Sequence, residues 1–170
     1  TASRLIPLTM ATQSMPADAG PVRERLMAIM QAQRLRLVSM AGPNAVFSWW
    51  GPATQGDALM TSYAYYADWY ASRALRLELP GEHWNNLVSV YTEHGKNNAP
   101  LERAMSLWMM HEMGLPTKTL AESLVADAAS LEVGSAPRKQ GVTSSVLLAD
   151  GQDSVTRSMA IGLTSVVAAQ

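Results

Sequence analysis

The chain reads as an all-α domain, on three observations. Apolar side chains recur at i, i+3 and i+4 through most of the 170 residues. Proline and glycine clusters punctuate that pattern at short intervals. Runs of β-branched residues bounded by turn signals are almost missing, so little argues for strands.

Each element follows from local chemistry. Leu5, Ile6, Leu8 and Met10 predict a short first helix over residues 1–11, interrupted at Pro7. Residues 14–21 form a loop by their Pro, Gly and Asp content. Pro21 suits the first turn of the next helix, where a missing N–H costs nothing. That helix runs to about Met40, with Val22, Leu26, Ile29, Met30, Leu37 and Met40 inward and Arg23, Glu24, Arg34 and Arg36 solvated. Gly42, Pro43 and Asn44 stop it.

An aromatic turn follows, with Phe47, Trp49, Trp50 and Gly51, and leads into a Pro/Gly loop. Asp57 is placed to cap a helix over residues 57–77. Its stripe is Leu59, Tyr63, Tyr66, Tyr70, Ala74 and Leu77. Residues 82–93 form a shorter helix with Trp84, Leu87, Val88 and Tyr91 on one side, ended by Gly95. Asn98 caps the next, with Pro100 in its first turn and Leu101, Met105, Trp108 and Met109 buried. After Gly114, Leu115 and Pro116 comes a helix over residues 117–131 carrying Leu120, Leu124, Val125, Ala128 and Leu131. Residues 134–141 (GSAPRKQG) are the clearest exposed loop, and residues 142–148 are an apolar run that suits a strand or a helix start. Asp153 caps a last helix with Val155, Met159, Leu163 and Val166 inward.

The sum is at least five helices in a loop-helix rhythm. That rhythm fits stacked or toroidal helix hairpins, with a compact bundle as the competing architecture. No fixed-period repeat accompanies it, so any repetition is structural only.

Composition excludes several functions. The 13 Lys+Arg and 14 Asp+Glu give a net charge of -1 and no basic footprint for nucleic acid or an anionic membrane surface. A hydrophobic fraction of 48% is that of a globular chain, not a disordered one. No segment reaches the roughly 18 apolar residues of a membrane span. With no cysteine, disulfides, thiolate metal sites and thiol nucleophiles are out of reach together. The 11 methionines against 1 phenylalanine are unusual, and Met27, Met30, Met105 and Met109 are expected in the core by their spacing. Opening on Thr1 without an initiator methionine or signal peptide, the chain reads as a mature fragment or an excised piece.

No catalytic constellation stands out. His111-Glu112 begins the zinc motif H-E-x-x-H, but position 115 is Leu115 and the second imidazole is missing. His83 and His94 would lie about 16 Å apart along a helix, too far to share an ion. Nucleophile elbows, phosphate loops and dinucleotide fingerprints do not occur. Asp57, Asp68, Glu78, Glu82, Glu93 and Glu102 could converge as a glycosidase pair does, yet capping and solvation account for them. No catalytic, cofactor-binding or metal-binding residue is therefore assigned, and no cofactor is expected.

One stretch carries a family likeness. Leu26 to Gln33, then Val46-Phe47-Ser48-Trp49-Trp50-Gly51, then Met60-Thr61-Ser62-Tyr63-Ala64 resemble a segment of the bacterial alpha-2-macroglobulin family, in its complement-like, thioester-type α/α toroid domain. LERAMSLWMMHEMGLPTKTLAESLV resembles later helices of the larger exported members. The resemblance covers about the first three quarters of the chain. It implies that residues 1–170 are part of that toroid, about half of it by length. It also implies a non-enzymatic role in a broad-spectrum endopeptidase inhibitor that traps proteases after its bait region is cut. The implied partners are proteases, other domains of the same large chain and cell-envelope or peptidoglycan-synthesis proteins. The implied location is the periplasm, with possible inner-membrane association, and the implied role is host defence. The C-x-E-Q thioester motif of inhibitory relatives has no counterpart here, because the chain lacks cysteine. Two other classes stay open: a helical peptide-binding module, and an α/α-toroid carbohydrate enzyme using Trp49, Trp50 and Trp84 as sugar platforms.

Overall fold

The computed structural model describes residues 1–16, 18–49, 56–79, 82–95 and 98–130, apart from the side chains at 82–84 and 128–130. Six α-helices and no strand occur among the described residues, as the periodicity predicts. The chain divides into two compact units, Thr1–His94 and Gly95–Gln170. The apolar run at 142–148, the loop at 134–141 and the last helix lie outside the described residues.

In the first unit, α1 (Ala2–Gln13) runs straight through Pro7. The predicted interruption is absent: Pro7 lies inside the helix but on its exposed side, where water can satisfy the carbonyl its missing N–H would have served. Leu5 and Thr9 on the opposite side are fully buried. Helix α2 (Gly20–Val38) opens with Pro21 in its first turn and ends two residues earlier than expected. Its inward face is narrow: Met30 and Leu37 are buried, with Met27 packed beside them. Val22, Ile29 and Met40, expected inside, are exposed, and Met40 lies beyond the end of the helix.

Helix α3 (Ala58–Ala74) corrects the expected stripe most clearly. Its buried face is small: Thr61, Ser62, Ala64, Ala67, Ala71 and Ser72, with Tyr65 and Asp68. Ala64, Ala67 and Ala71 join Ala2, Leu5, Met30 and Leu37 in one core, so α1 and α2 approach the α3 backbone closely. Tyr63 borders this core, whereas Tyr66 and Tyr70 are half-buried and Leu77 is exposed. A fully buried Leu or Met stabilises by roughly 1.5–3 kcal/mol, so Leu5 and Met30 anchor the three helices. Thr9 Oγ1 closes on Met30 Sδ at 3.1 Å, tying α1 to α2.

Helix α3 ends in a Schellman motif: Arg76 N–H donates to Arg73 O (3.2 Å) and Leu77 N–H to Ser72 O (2.9 Å). Arg76 occupies the left-handed position with φ 57°, a place that favours glycine. Helix α4 (Glu82–His94) then buries Leu87 and Tyr91 as its spacing predicts, whereas Val90, not expected inside, is buried and Val88 is only half-buried.

In the second unit, α5 (Pro100–Glu112) and α6 (Lys118–Ser130) form a hairpin. The cap of α5 differs from expectation. Ala99 occupies the N-cap, and Glu102 Oε2 reaches back to accept from Ala99 N–H (3.0 Å) and Asn98 Nδ2 (3.1 Å). Ala104, Ser106, Leu107, Met109, Met110 and Met113 are buried, together with Ala121 and Leu124 of α6. The predicted stripe was rotated: Met109 is inside, but Met105 and Trp108 are exposed at 43% and 38%. Gly114, at φ 83°, ends α5 in a second Schellman motif, through Gly114 N–H to His111 O (2.8 Å) and Leu115 N–H to Met110 O (3.0 Å).

Candidate functional site

The aromatic turn and the helix it enters are the part of the sequence richest in information, and the structure shows what they do. The chain leaves α2 through a short 3-10 turn, Pro43–Ala45, closed by Gly42 N–H donating to Val46 O at 2.8 Å. Phe47 is then pinned by its backbone. Its N–H donates to Thr61 Oγ1 (3.0 Å), and its carbonyl accepts from Asp57 N–H (2.9 Å) and from the Thr61 hydroxyl (3.3 Å). Asp57 caps α3 as predicted, accepting from Met60 N–H at 2.8 Å. Beside this neck Gly56 lies against Val46 so closely that a β-carbon there would overlap Val46 Cβ and sit 3.1 Å from both its methyls. The glycine is required by space rather than by conformation.

The Phe47 ring meets Tyr65 edge-on, with centroids 6.1 Å apart and planes at 89°. Behind them lies a cleft of about 40 Å³ lined by Leu37, Val38, Ala41, Ala45, Phe47, Ala64, Tyr65 and Asp68. Small-molecule sites occupy about 300–1,000 Å³, so this cleft cannot hold a sugar ring. Its single carboxylate is committed elsewhere: Asp68 Oδ1 sits 2.7 Å from Arg34 Nε, with Nη2 donating to Oδ2 at 3.4 Å. Both side chains are largely buried, at 10% and 17% exposure, so Arg34 is not the solvated residue that its helix position suggested. Burial and the neighbouring Asp68 charge push the Tyr65 phenol up to about 12, against a hydrogen bond from Asn86 that pulls it down. Tyr65 therefore stays protonated across the physiological range and acts as a wall, not a base.

The remaining rings form a ladder along α3. Tyr66 and Tyr70 stack at 6.2 Å with planes 9° apart, Trp69 lies 5.7 Å from Tyr66, and the Arg73 guanidinium caps Trp69 at 4.8 Å. Tyr70 Oη donates to Gln13 Oε1 (3.0 Å), fastening α3 to the end of α1. Trp49 is 46% exposed, while Trp50 and the Trp84 side chain lie outside the described residues.

The candidate acids and bases are dispersed. Asp57 and Glu102 serve helix starts, Asp68 pairs with Arg34, Glu93 accepts from Ser89 Oγ at 2.9 Å, and Glu78 is exposed. The side chains of His83 and Glu82 lie outside the described residues. His94 and His111 occupy the last turns of α4 and α5. No cluster of three metal-ligating side chains occurs among the described residues, and none of the described helices is long and apolar enough to cross a membrane. Sequence reading missed the Arg34–Asp68 pair and the role of Gly56. The available signal for the first was that Asp68 continues the Thr61, Ala64, Tyr65, Ala71 face, where a solvated carboxylate does not belong.

Among the described residues, Asp57 and Glu102 cap helices, Arg34 and Asp68 tie two of them together, and the rings of Phe47, Tyr65, Tyr66, Trp69 and Tyr70 contact one another. Over 136 residues, 76% of its length, the chain is 44% identical to a protein named Alpha-2-macroglobulin from Ralstonia nicotianae (strain ATCC BAA-1114 / GMI1000), and it belongs to the alpha-2-macroglobulin family. The match covers 9% of that relative's length. No family model and no solved structure matches the chain.

Proposed function

We propose that this chain is a non-enzymatic packing segment of an alpha-2-macroglobulin-like endopeptidase inhibitor, within its thioester-like α/α toroid. In this reading a protease cuts a bait region elsewhere in the parent molecule, the molecule rearranges, and the protease is enclosed. The observation that carries the reading is the 44% identity over 136 residues to a bacterial alpha-2-macroglobulin. The clamped Phe47 turn and the tied α1–α3 contact support a segment that transmits a rearrangement as a rigid body. Since no cysteine is present, this segment contributes no thioester, and it acts through shape and packing. The parent works in the periplasm, where its partners are proteases and its own neighbouring domains.

The test uses the full-length parent. A broad-specificity endopeptidase is added, and native-gel mobility is followed beside protease activity on a large protein and on a small peptide substrate. Trapping shifts the mobility and suppresses cleavage of the large substrate while sparing the small one. Bait cleavage with unchanged mobility and unchanged activity on both substrates rules the proposal out. Cell fractionation checks the compartment.

A further inference from the structure

Two threonine–methionine pairs join α1 to α2 and its C-terminal extension. Thr9 Oγ1 meets Met30 Sδ at 3.1 Å in the core, and Thr1 Oγ1 meets Met40 Sδ at 3.4 Å at the surface. The two contacts differ in chemistry. A hydroxyl has one proton to give, and the Thr9 proton goes to Leu5 O at 2.8 Å, so Met30 Sδ is packed against the oxygen. The Thr1 hydroxyl donates to the Met40 sulfur.

That use of Thr1 is unusual for its position. It is the N-cap of α1, where a threonine hydroxyl ordinarily accepts from a first-turn N–H, and here it makes no such bond. Its carbonyl joins the helix through Leu5 N–H (3.2 Å), while its hydroxyl turns to the sulfur. A thioether is a weak acceptor, so the cap is given up for a weak bond. Exposure separates the two sulfurs as well: Met30 is fully buried, and Met40 is 40% exposed.

We propose that Met40 is a reversible oxidation site whose sulfoxide takes the Thr1 hydroxyl proton and tightens the outer end of the α1–α2 seam. The oxidant is a peroxide. A sulfur lone pair attacks one peroxide oxygen, an S–O bond forms and the O–O bond breaks. The proton on the transferred oxygen passes to the leaving hydroxide, which departs as water. Sulfur loses two electrons and the peroxide gains them. The polar sulfoxide oxygen is a stronger acceptor than the sulfur it replaces. The site already has nearly the right length. An S–O bond of about 1.5 Å and an O–H···O separation of about 2.7 Å, bent at the oxygen, place Sδ and Oγ1 about 3.7 Å apart, against 3.4 Å in the thioether form. Burial keeps peroxide from Met30, so the inner contact is preserved while the outer one changes.

The test uses the full chain with Met10→Leu and Met105→Leu, which remove two other exposed sulfurs. After dilute hydrogen peroxide, peptide mass spectrometry should find Met40 oxidised at least about tenfold faster than Met30. The urea midpoint, read by tryptophan fluorescence, should rise by about 0.3–0.5 M and return after treatment with methionine sulfoxide reductases for both epimers. Thr1→Val and Met40→Leu should each abolish the rise. Met40→Gln, whose amide oxygen stands in for the sulfoxide, should raise the midpoint without peroxide, and only while Thr1 keeps its hydroxyl. A midpoint that stays or falls on oxidation, a rise that survives Thr1→Val, or equal oxidation of Met40 and Met30 overturns the proposal. So does a Met40→Gln chain indifferent to Thr1→Val.

Discussion

Removing one partner of the Arg34–Asp68 pair should cost more than removing both. The geometry sets the scale. Two unit charges about 4 Å apart attract by about 4 kcal/mol at an effective dielectric of 20, before the cost of taking both from water is subtracted. Deleting one partner of a fully buried pair costs about 3–5 kcal/mol, because the other charge is left behind. With exposures of 10% and 17%, the stranded charge recovers some solvent, so about 2–3 kcal/mol is expected for Asp68→Ala or Arg34→Met. The double variant Arg34→Met with Asp68→Leu strands no charge and should cost less than either single change. Urea unfolding of the full chain, followed by tryptophan fluorescence, is the assay, since four of the five tryptophans fall within Thr1–His94. Single changes costing under about 1 kcal/mol, with an additive double, would show that the pair behaves as an exposed one and would refute the argument.

Three further outcomes are expected. Gly56→Ala should destabilise the first unit by about 1–3 kcal/mol and speed amide exchange at Asp57, whose N–H closes the neck, because Val46 Cβ cannot swing away from the added methyl. Arg76→Gly should raise stability by about 1 kcal/mol in urea, relieving the left-handed backbone at a helix end, whereas Gly114→Ala in the equivalent place should lower it by a similar amount. In an ultraviolet pH titration one phenol, Tyr65, should ionise near 12 and not near 10. Because the raised value belongs to the folded state, its contribution to stability is complete below pH 10 and is lost as pH rises from 10 toward 12.

Helix positions were legible because their punctuation is explicit: Pro21, Asp57, Pro100 and Gly114 mark boundaries that the structure keeps. Helix faces were legible only in part. Reading the largest apolar residues as the buried ones worked for Leu87 and Tyr91, and it failed on α3, where alanine, serine and threonine face the core and the rings stack along the flank. It failed on α5 for a related reason: both sides are apolar, so periodicity alone could not say which side α6 takes. The pinned Phe47 turn was visible as a motif, but its clamp is made of backbone atoms and one hydroxyl, which carry no pattern. Arg34 and Asp68 were missed because the spacing of α3 places Asp68 on the buried face but does not say which residue of another helix answers it.

The alanine face of α3 means that this unit is specified by what is missing. Ala64, Ala67 and Ala71 act as a gauge that sets how near three backbones come, and any gain of volume there forces a neighbouring rod outward. Tolerance to substitution should therefore be lowest at the least conspicuous letters, and higher at the large rings that draw the eye.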